Sequence, residues 1–131
     1  MNNFGISEES LAKIMAIIDD MREDNESTPI LVEGKRDKKA LKELGFEGDI
    51  IVLNSGYTLA DVADAISKKY RKIIILTDWD KKGSYLAGRI FNLLRDNDVI
   101  CNLEYRRKLG FYLGPHISTV EELSMFSEKI I

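Results

Sequence analysis

Cysteine, histidine and tryptophan each occur once and proline twice, and these shortages close several routes. A lone Cys101 supplies neither a disulfide framework nor a cysteine-based zinc cluster. It lies in the apolar run Val99-Ile100-Cys101, where a buried, inert thiol is expected. His116 stands beside Pro115 in a loop, so a surface position outweighs a catalytic one. No stretch approaches the ~20 continuous apolar residues of a membrane span, and no basic segment followed by an apolar one opens the chain. A cytoplasmic protein without a membrane partner is the expectation.

What remains is ordinary globular material: 44% hydrophobic and 31% charged residues in a chain of 131, enough for one domain with its own core. The net charge of −3 argues against a general polyanion binder, but its distribution is uneven. Residues 1–27 carry two basic and seven acidic side chains, whereas residues 28–116 carry sixteen and twelve. The middle of the chain is cationic. It suits a phosphate-bearing partner, or else its lysines coat solvated helix faces.

Ser7 is placed to cap a first amphipathic helix, with Leu11, Ile14, Met15, Ile18 and Met21 at helical spacing. This acidic helix could pack on its own sheet or pair with another subunit in a homo-oligomer. After a polar break, strand and helix patterns alternate. Ile30 to Val32 reads as a strand, Asp37 to Leu44 as a helix, Asp49 to Leu53 as a strand and Thr58 to Tyr70 as a helix. Lys72 to Thr77 is the next strand, Ser84 to Arg95 a helix, and Val99 to Leu103 a fourth strand. Continuous Ile/Val runs mark strands covered on both faces, so the expected fold is α/β: a doubly wound, mainly parallel four-stranded sheet with helices on both sides. The tail is harder to read. Tyr105 to Lys108 is basic, Gly110 and Gly114-Pro115 interrupt it, and Thr119 with Glu122 forms a capping-box signature for a last helix. The division expected is an N-terminal helix and linker (1–28), an α/β domain (29–109) and a C-terminal loop and helix (110–131).

Ligands of open parallel sheets collect beyond the carboxyl ends of the strands. There the sequence is sharply polar: Glu33-Gly34-Lys35-Arg36-Asp37 after the first strand, Asn54-Ser55-Gly56-Tyr57 after the second, Asp78-Trp79-Asp80-Lys81-Lys82-Gly83 after the third. If the first and third strands are neighbours, Glu33, Asp78 and Asp80 fall within reach of one hydrated cation. All-oxygen ligation favours Mg²⁺ or Mn²⁺ over zinc. Asp37 and Asp80 could equally cap the helices that follow them, which leaves Glu33 and Asp78 unexplained. Lys35, Arg36, Lys81 and Lys82 are the candidate phosphate contacts. Gly34, Gly56 and Gly83 mark sharp turns or close approach to a ligand. Asn54 and Ser55 could bind phosphate or water, or simply turn the chain. Trp79 could stack on a base or pack inward.

The segment Leu31-Val32-Glu33-Gly34-Lys35-Arg36-Asp37, followed two elements later by Ile75-Leu76-Thr77-Asp78-Trp79-Asp80 and Gly83, resembles the Toprim domain shared by topoisomerases and primases. The resemblance covers roughly Pro29 to Leu109. It is strongest to small standalone Toprim proteins and more distant to the maturation nuclease of ribosomal RNA. It implies that Glu33, Asp78 and Asp80 gather one or two Mg²⁺ ions, and that Glu33 also serves as general acid or base. It further implies an RNA or DNA partner.

The function expected is therefore Mg²⁺-dependent phosphodiester cleavage or phosphoryl transfer on nucleic acid. The alternative is a noncatalytic Mg²⁺-dependent module that binds nucleic acid or a nucleotide for a larger assembly. Tyr57, Tyr85, Tyr105 and Tyr112 lack the gate domains that would present a topoisomerase nucleophile. A dehalogenase-like phosphatase also places DxD after a strand, but there the first aspartate follows the first strand, whereas Asp78 follows the third.

Overall fold

The computed structural model describes residues 2, 4–53 and 56–130. Its elements are α1 (Glu8–Asp24), β1 (Ile30–Val32), α2 (Lys35–Glu43), β2 (Ile50–Val52), α3 (Leu59–Lys69) and β3 (Lys72–Ile75). They continue with α4 (Lys81–Asp96), β4 (Ile100–Asn102), α5 (Glu104–Leu113), a 3₁₀ segment (Glu121–Phe126) and a last turn, α6 (Ser127–Ile130). The four strands form one sheet in the order β2-β1-β3-β4, and every pair is parallel. β1 and β3 are neighbours, with Leu31 opposite Ile75. The doubly wound α/β expectation holds.

Strand periodicity explains why both faces must be covered. Ile30, Val32, Ile74 and Leu76 enter one core with residues of α1, α5 and the C-terminal 3₁₀ segment, while Leu31, Ile73 and Ile75 enter the other with residues of α3 and α4. The β1 and β3 residues in both sets are fully buried. α1 packs on its own sheet: Leu11, Ile14, Ile18 and Met21 belong to the first core, and the Ser7 hydroxyl accepts the Ser10 N–H as an N-cap. At the opposite edge from the candidate site, the buried Asn25 amide donates to Thr28 O and Asp49 O and accepts from Gly48 N, tying the two chain turns together.

Four local differences from the sequence reading matter for the site. α4 begins at Lys81 rather than Ser84, because Asp80 caps it: Asp80 Oδ1 accepts the Gly83 N–H at 2.7 Å. α2 begins at Lys35, with Gly34 as N-cap and Asp37 inside the first turn, so Asp37 does not cap by position. The basic tail is a helix, α5, and Gly110 sits inside it because the Trp79 indole lies there; an added Cβ at 110 would stand 2.7 Å from Trp79 Cδ1. The Thr119/Glu122 capping box forms, but it opens a 3₁₀ segment rather than an α-helix. Among the described residues no helix is long and apolar enough to cross a membrane.

Candidate metal centre

Because β1 and β3 run side by side, Glu33 and Asp78 leave the sheet at the same edge, Glu33 one residue and Asp78 two residues beyond the apolar run before it. Glu33 Oε2 accepts the Asp78 backbone N–H at 2.7 Å. The Asp78 carboxylate in turn accepts the Val120 N–H at 2.8 Å through Oδ1. Asp37, only 7% exposed, accepts Gly34 N–H at 3.1 Å and Glu121 N–H at 3.0 Å with its two oxygens. The C-terminal segment is thus fastened over the strand edge by two carboxylates.

These groups line a cavity of about 620 Å³, with Glu33, Asp37 and Asp78 facing Lys35, Arg36 and Lys82 and with Leu59 and Leu86 on its apolar wall. Of the residues singled out in sequence, Glu33, Asp78, Lys35, Arg36, Gly34 and Lys82 therefore meet. Asp80 does not line the cavity; its carboxylate serves the α4 N-terminus, although its field reaches both Glu33 and Asp78. Lys81 lies in the same first turn of α4, exposed and outside the cavity lining. Among the described residues no three acidic, histidine or cysteine side chains are already gathered as a closed metal shell. Asn54 and Ser55 lie outside the described residues.

The glycines differ in their reasons. Gly83 is required by close packing, since a Cβ there would stand 1.9 Å from Asp78 O. Gly56 has φ +88°, a left-handed conformation that glycine adopts freely. Gly34 is extended, and a Cβ there would find only ordinary contact with Asp37. Trp79 is committed to the fold: its indole N–H donates to Arg106 O at 2.7 Å and its backbone N–H to Ser118 O. His116 is exposed, and burial pushes the half-buried Cys101 thiol up to about 11, so it stays protonated near neutrality.

One residue of the site escaped the sequence reading. Arg106, on α5, donates from Nε to Thr77 O and from Nη2 to Asp78 O at 2.6 Å and Ser84 Oγ at 3.1 Å. Its guanidinium fixes the start of the β3–α4 turn and lies within the fields of Glu33, Asp78 and Asp80. Its only signal in sequence was membership of the basic run Tyr105 to Lys108.

Burial raises the Glu33 carboxyl above its usual range, and the charges of Asp78 and Asp80 add to this, against the Asp78 N–H and Lys82. Burial likewise raises Asp78, with Asp80 adding and the Val120 N–H and Arg106 opposing. Asp37 is raised by burial and then by Asp78. This concentration of half-buried, mutually repelling carboxylates is what a divalent cation relieves. The donor set fits a hard cation. Its oxygens are all carboxylate, and each of Glu33, Asp78 and Asp80 has one oxygen held on a backbone N–H, which fixes its position without consuming the group.

A pH dependence follows from the signs. Glu33, Asp37 and Asp78 bind protons more tightly folded than unfolded, so their ionisation costs stability above the raised values and costs nothing below the unfolded values of 4.5 and 3.8. In chelator, the part of the stability contributed by these groups should rise as pH falls through the raised values towards the unfolded values of 4.5 and 3.8. Thermal melts of the wild type and Asp78→Asn check this: the difference between them should narrow on acidification, and a constant difference would contradict it.

Residues 28–109 match the family model of the Toprim domain. The chain belongs to the Toprim domain family. Within it, the chain belongs with the UPF0292 proteins. One from Thermoplasma volcanium is 44% identical over 110 residues, covering 82% of this chain and 89% of that protein. Another, from Methanocaldococcus jannaschii, is 32% identical over 124 residues, covering 93% and 95%. A solved structure of a protein from Aquifex aeolicus superposes with TM-score 0.72 at 31% identity, covering 82% of this chain and 95% of that one. In this Toprim chain a glutamate follows β1 and a DxD follows β3, and the two strands bring Glu33 and Asp78 together.

Proposed function

We propose that this Toprim protein acts on nucleic acid through a divalent cation held at the β1–β3 edge, and that its reaction is phosphodiester cleavage or phosphoryl transfer. The observation that supports it is the Glu33–Asp78 pairing in a cavity that Lys35, Arg36 and Lys82 also line, with both carboxyls raised first by burial and further by neighbouring aspartates. Glu33 and Asp78 would hold Mg²⁺ or Mn²⁺ with Asp80 at the margin, and the bound cation would supply charge to a phosphoryl oxygen and acidify a water. Lys35, Arg36 and Lys82 would receive the phosphate. Glu33, oriented by the Asp78 N–H and with its carboxyl raised above the ordinary value by burial, is the group proposed to transfer a proton to the leaving oxygen.

A specific observation favours a second reading, Mg²⁺-dependent binding without cleavage. Asp80 is engaged as the α4 N-cap and the three carboxylates are not gathered. Incubating structured RNA and single-stranded DNA with Mg²⁺ or Mn²⁺ separates the readings. Cleavage is expected from the wild type, with a loss of at least about a hundredfold in Glu33→Gln and Asp78→Asn. Binding by the wild type without any cut would leave only the binding reading, and equal cutting by the variants would remove Glu33 and Asp78 from the reaction.

A further inference from the structure

The outward face of α4 has features that neither the fold nor the metal centre uses. Gly83, Ala87, Ile90 and Leu94 bury the inner face of the helix. Lys81, Tyr85, Gly88, Arg89 and Asn92 occupy the opposite side and are all exposed, with Tyr85 at 64%. From Lys81 to Arg95 the helix carries no acidic residue. The face adjoins the metal cavity, because Lys82 and Leu86 of the same turns line it.

Gly88 supplies an independent observation. It sits mid-helix, where glycine costs about 1 kcal/mol relative to alanine. Its φ is not positive, and a Cβ there would meet nothing within 4 Å. Packing therefore gives no reason for glycine. What a missing side chain provides at an open helix surface is room for another backbone to lie close, one turn from Tyr85.

We propose that the outward face of α4 is a track for a single-stranded nucleic acid leaving the metal cavity, with a base stacked on Tyr85, the strand passing over Gly88, and phosphates on Lys81 and Arg89. The inference rests on the proposed function for where the strand leads, and it narrows the substrate class to unpaired strands. A paired base has no free face to offer Tyr85, whereas stacking on an exposed ring tolerates any unpaired base. Exposure alone does not make such a platform: Tyr57 is 71% exposed, but it lines a cavity with Asp61 and Asp64, where phosphates are repelled.

Fluorescence anisotropy with a labelled oligo-dT, a labelled oligo-U and a DNA hairpin, with and without Mg²⁺, tests the track on the full chain. Tyr85→Ala should weaken both single strands about tenfold or more. Tyr85→Phe should retain wild-type affinity, Tyr57→Ala should change nothing, and the hairpin should bind more weakly than either strand. Gly88→Ala should raise the thermal midpoint while weakening single-strand binding several-fold, a combination that a purely structural glycine does not give. Unchanged single-strand affinity in Tyr85→Ala, equal loss in Tyr85→Phe, or equal affinity for the hairpin would overturn the proposal. Its failure is separable from that of the metal reading: Asp78→Asn should lose the Mg²⁺ response yet keep the chelator-phase affinity that Tyr85→Ala loses. The two oligonucleotides also report whether the ribose hydroxyl matters.

Discussion

Replacing Gly83 by alanine should cost at least about 3 kcal/mol, the largest loss expected of any single-methyl addition near the site. The added Cβ would fall 1.9 Å from the carbonyl oxygen, 2.5 Å from the carbonyl carbon and 2.9 Å from the Cα of Asp78. All three are backbone atoms, so no side chain can swing aside. Either α4 retreats from the strand edge or the Asp78 peptide turns away, and both break bonds that position the centre. The Asp78 N–H holds Glu33, the Asp78 carbonyl receives Arg106, and the buried Thr77 hydroxyl donates to Gly83 O at 2.7 Å. A thermal melt should show a fall of roughly 10 °C or more. A midpoint within a degree or two of wild type would mean that the β3–α4 turn is more yielding than its contacts imply. Gly34→Ala, where the added methyl finds ordinary contact distance, is the matched control and should cost far less.

Asp78→Asn should move stability in opposite directions with and without divalent cation. In chelator the substitution removes one of the crowded negative charges, while the amide oxygen can still accept the Val120 N–H, so the apo protein should be as stable as wild type or more so. With Mg²⁺ at a hundredfold excess over its dissociation constant the wild type should gain about 2–3 kcal/mol, by simple linkage, and the variant should gain almost none. A crossing of this kind is hard to produce by general damage, which lowers both values. Two parallel curves, each shifted equally by Mg²⁺, would remove Asp78 from the cation site. Asp80→Asn should behave differently. Its oxygen caps α4, so the amide largely preserves the cap, and the loss of Mg²⁺ response should be smaller than at Asp78.

The strands were legible because burial on both faces writes itself as uninterrupted Ile and Val, and Ile30 to Val32 and Ile73 to Leu76 are fully buried. Adjacency of β1 and β3, which brings Glu33 to Asp78, entered the sequence reading only as a condition and is visible in the register. Less legible were features in which one residue type serves two purposes. An aspartate before a helix reads equally as cap and as ligand, and in Asp80 the capping role occupies one oxygen. α5 was obscured because Gly110 looks like a break, whereas it is the only size that fits beneath Trp79. Arg106 could not be distinguished from Arg107: one grips the backbone of Thr77 and Asp78, the other pairs with exposed Glu104 on its own helix. The backbone N–H groups of Val120 and Glu121, which reach Asp78 and Asp37, carry no residue signature at all.

Glu33 and Asp78 as the joint seat of a divalent cation is the claim on which the cleavage reading stands. Anomalous diffraction from crystals of the full chain grown with Mn²⁺ tests it most directly. A peak about 2.2 Å from a carboxylate oxygen of both Glu33 and Asp78, absent in Asp78→Asn crystals, is the predicted result. Ordered density for both side chains with no peak between them, or a peak only on carboxylates elsewhere on the surface, would contradict it.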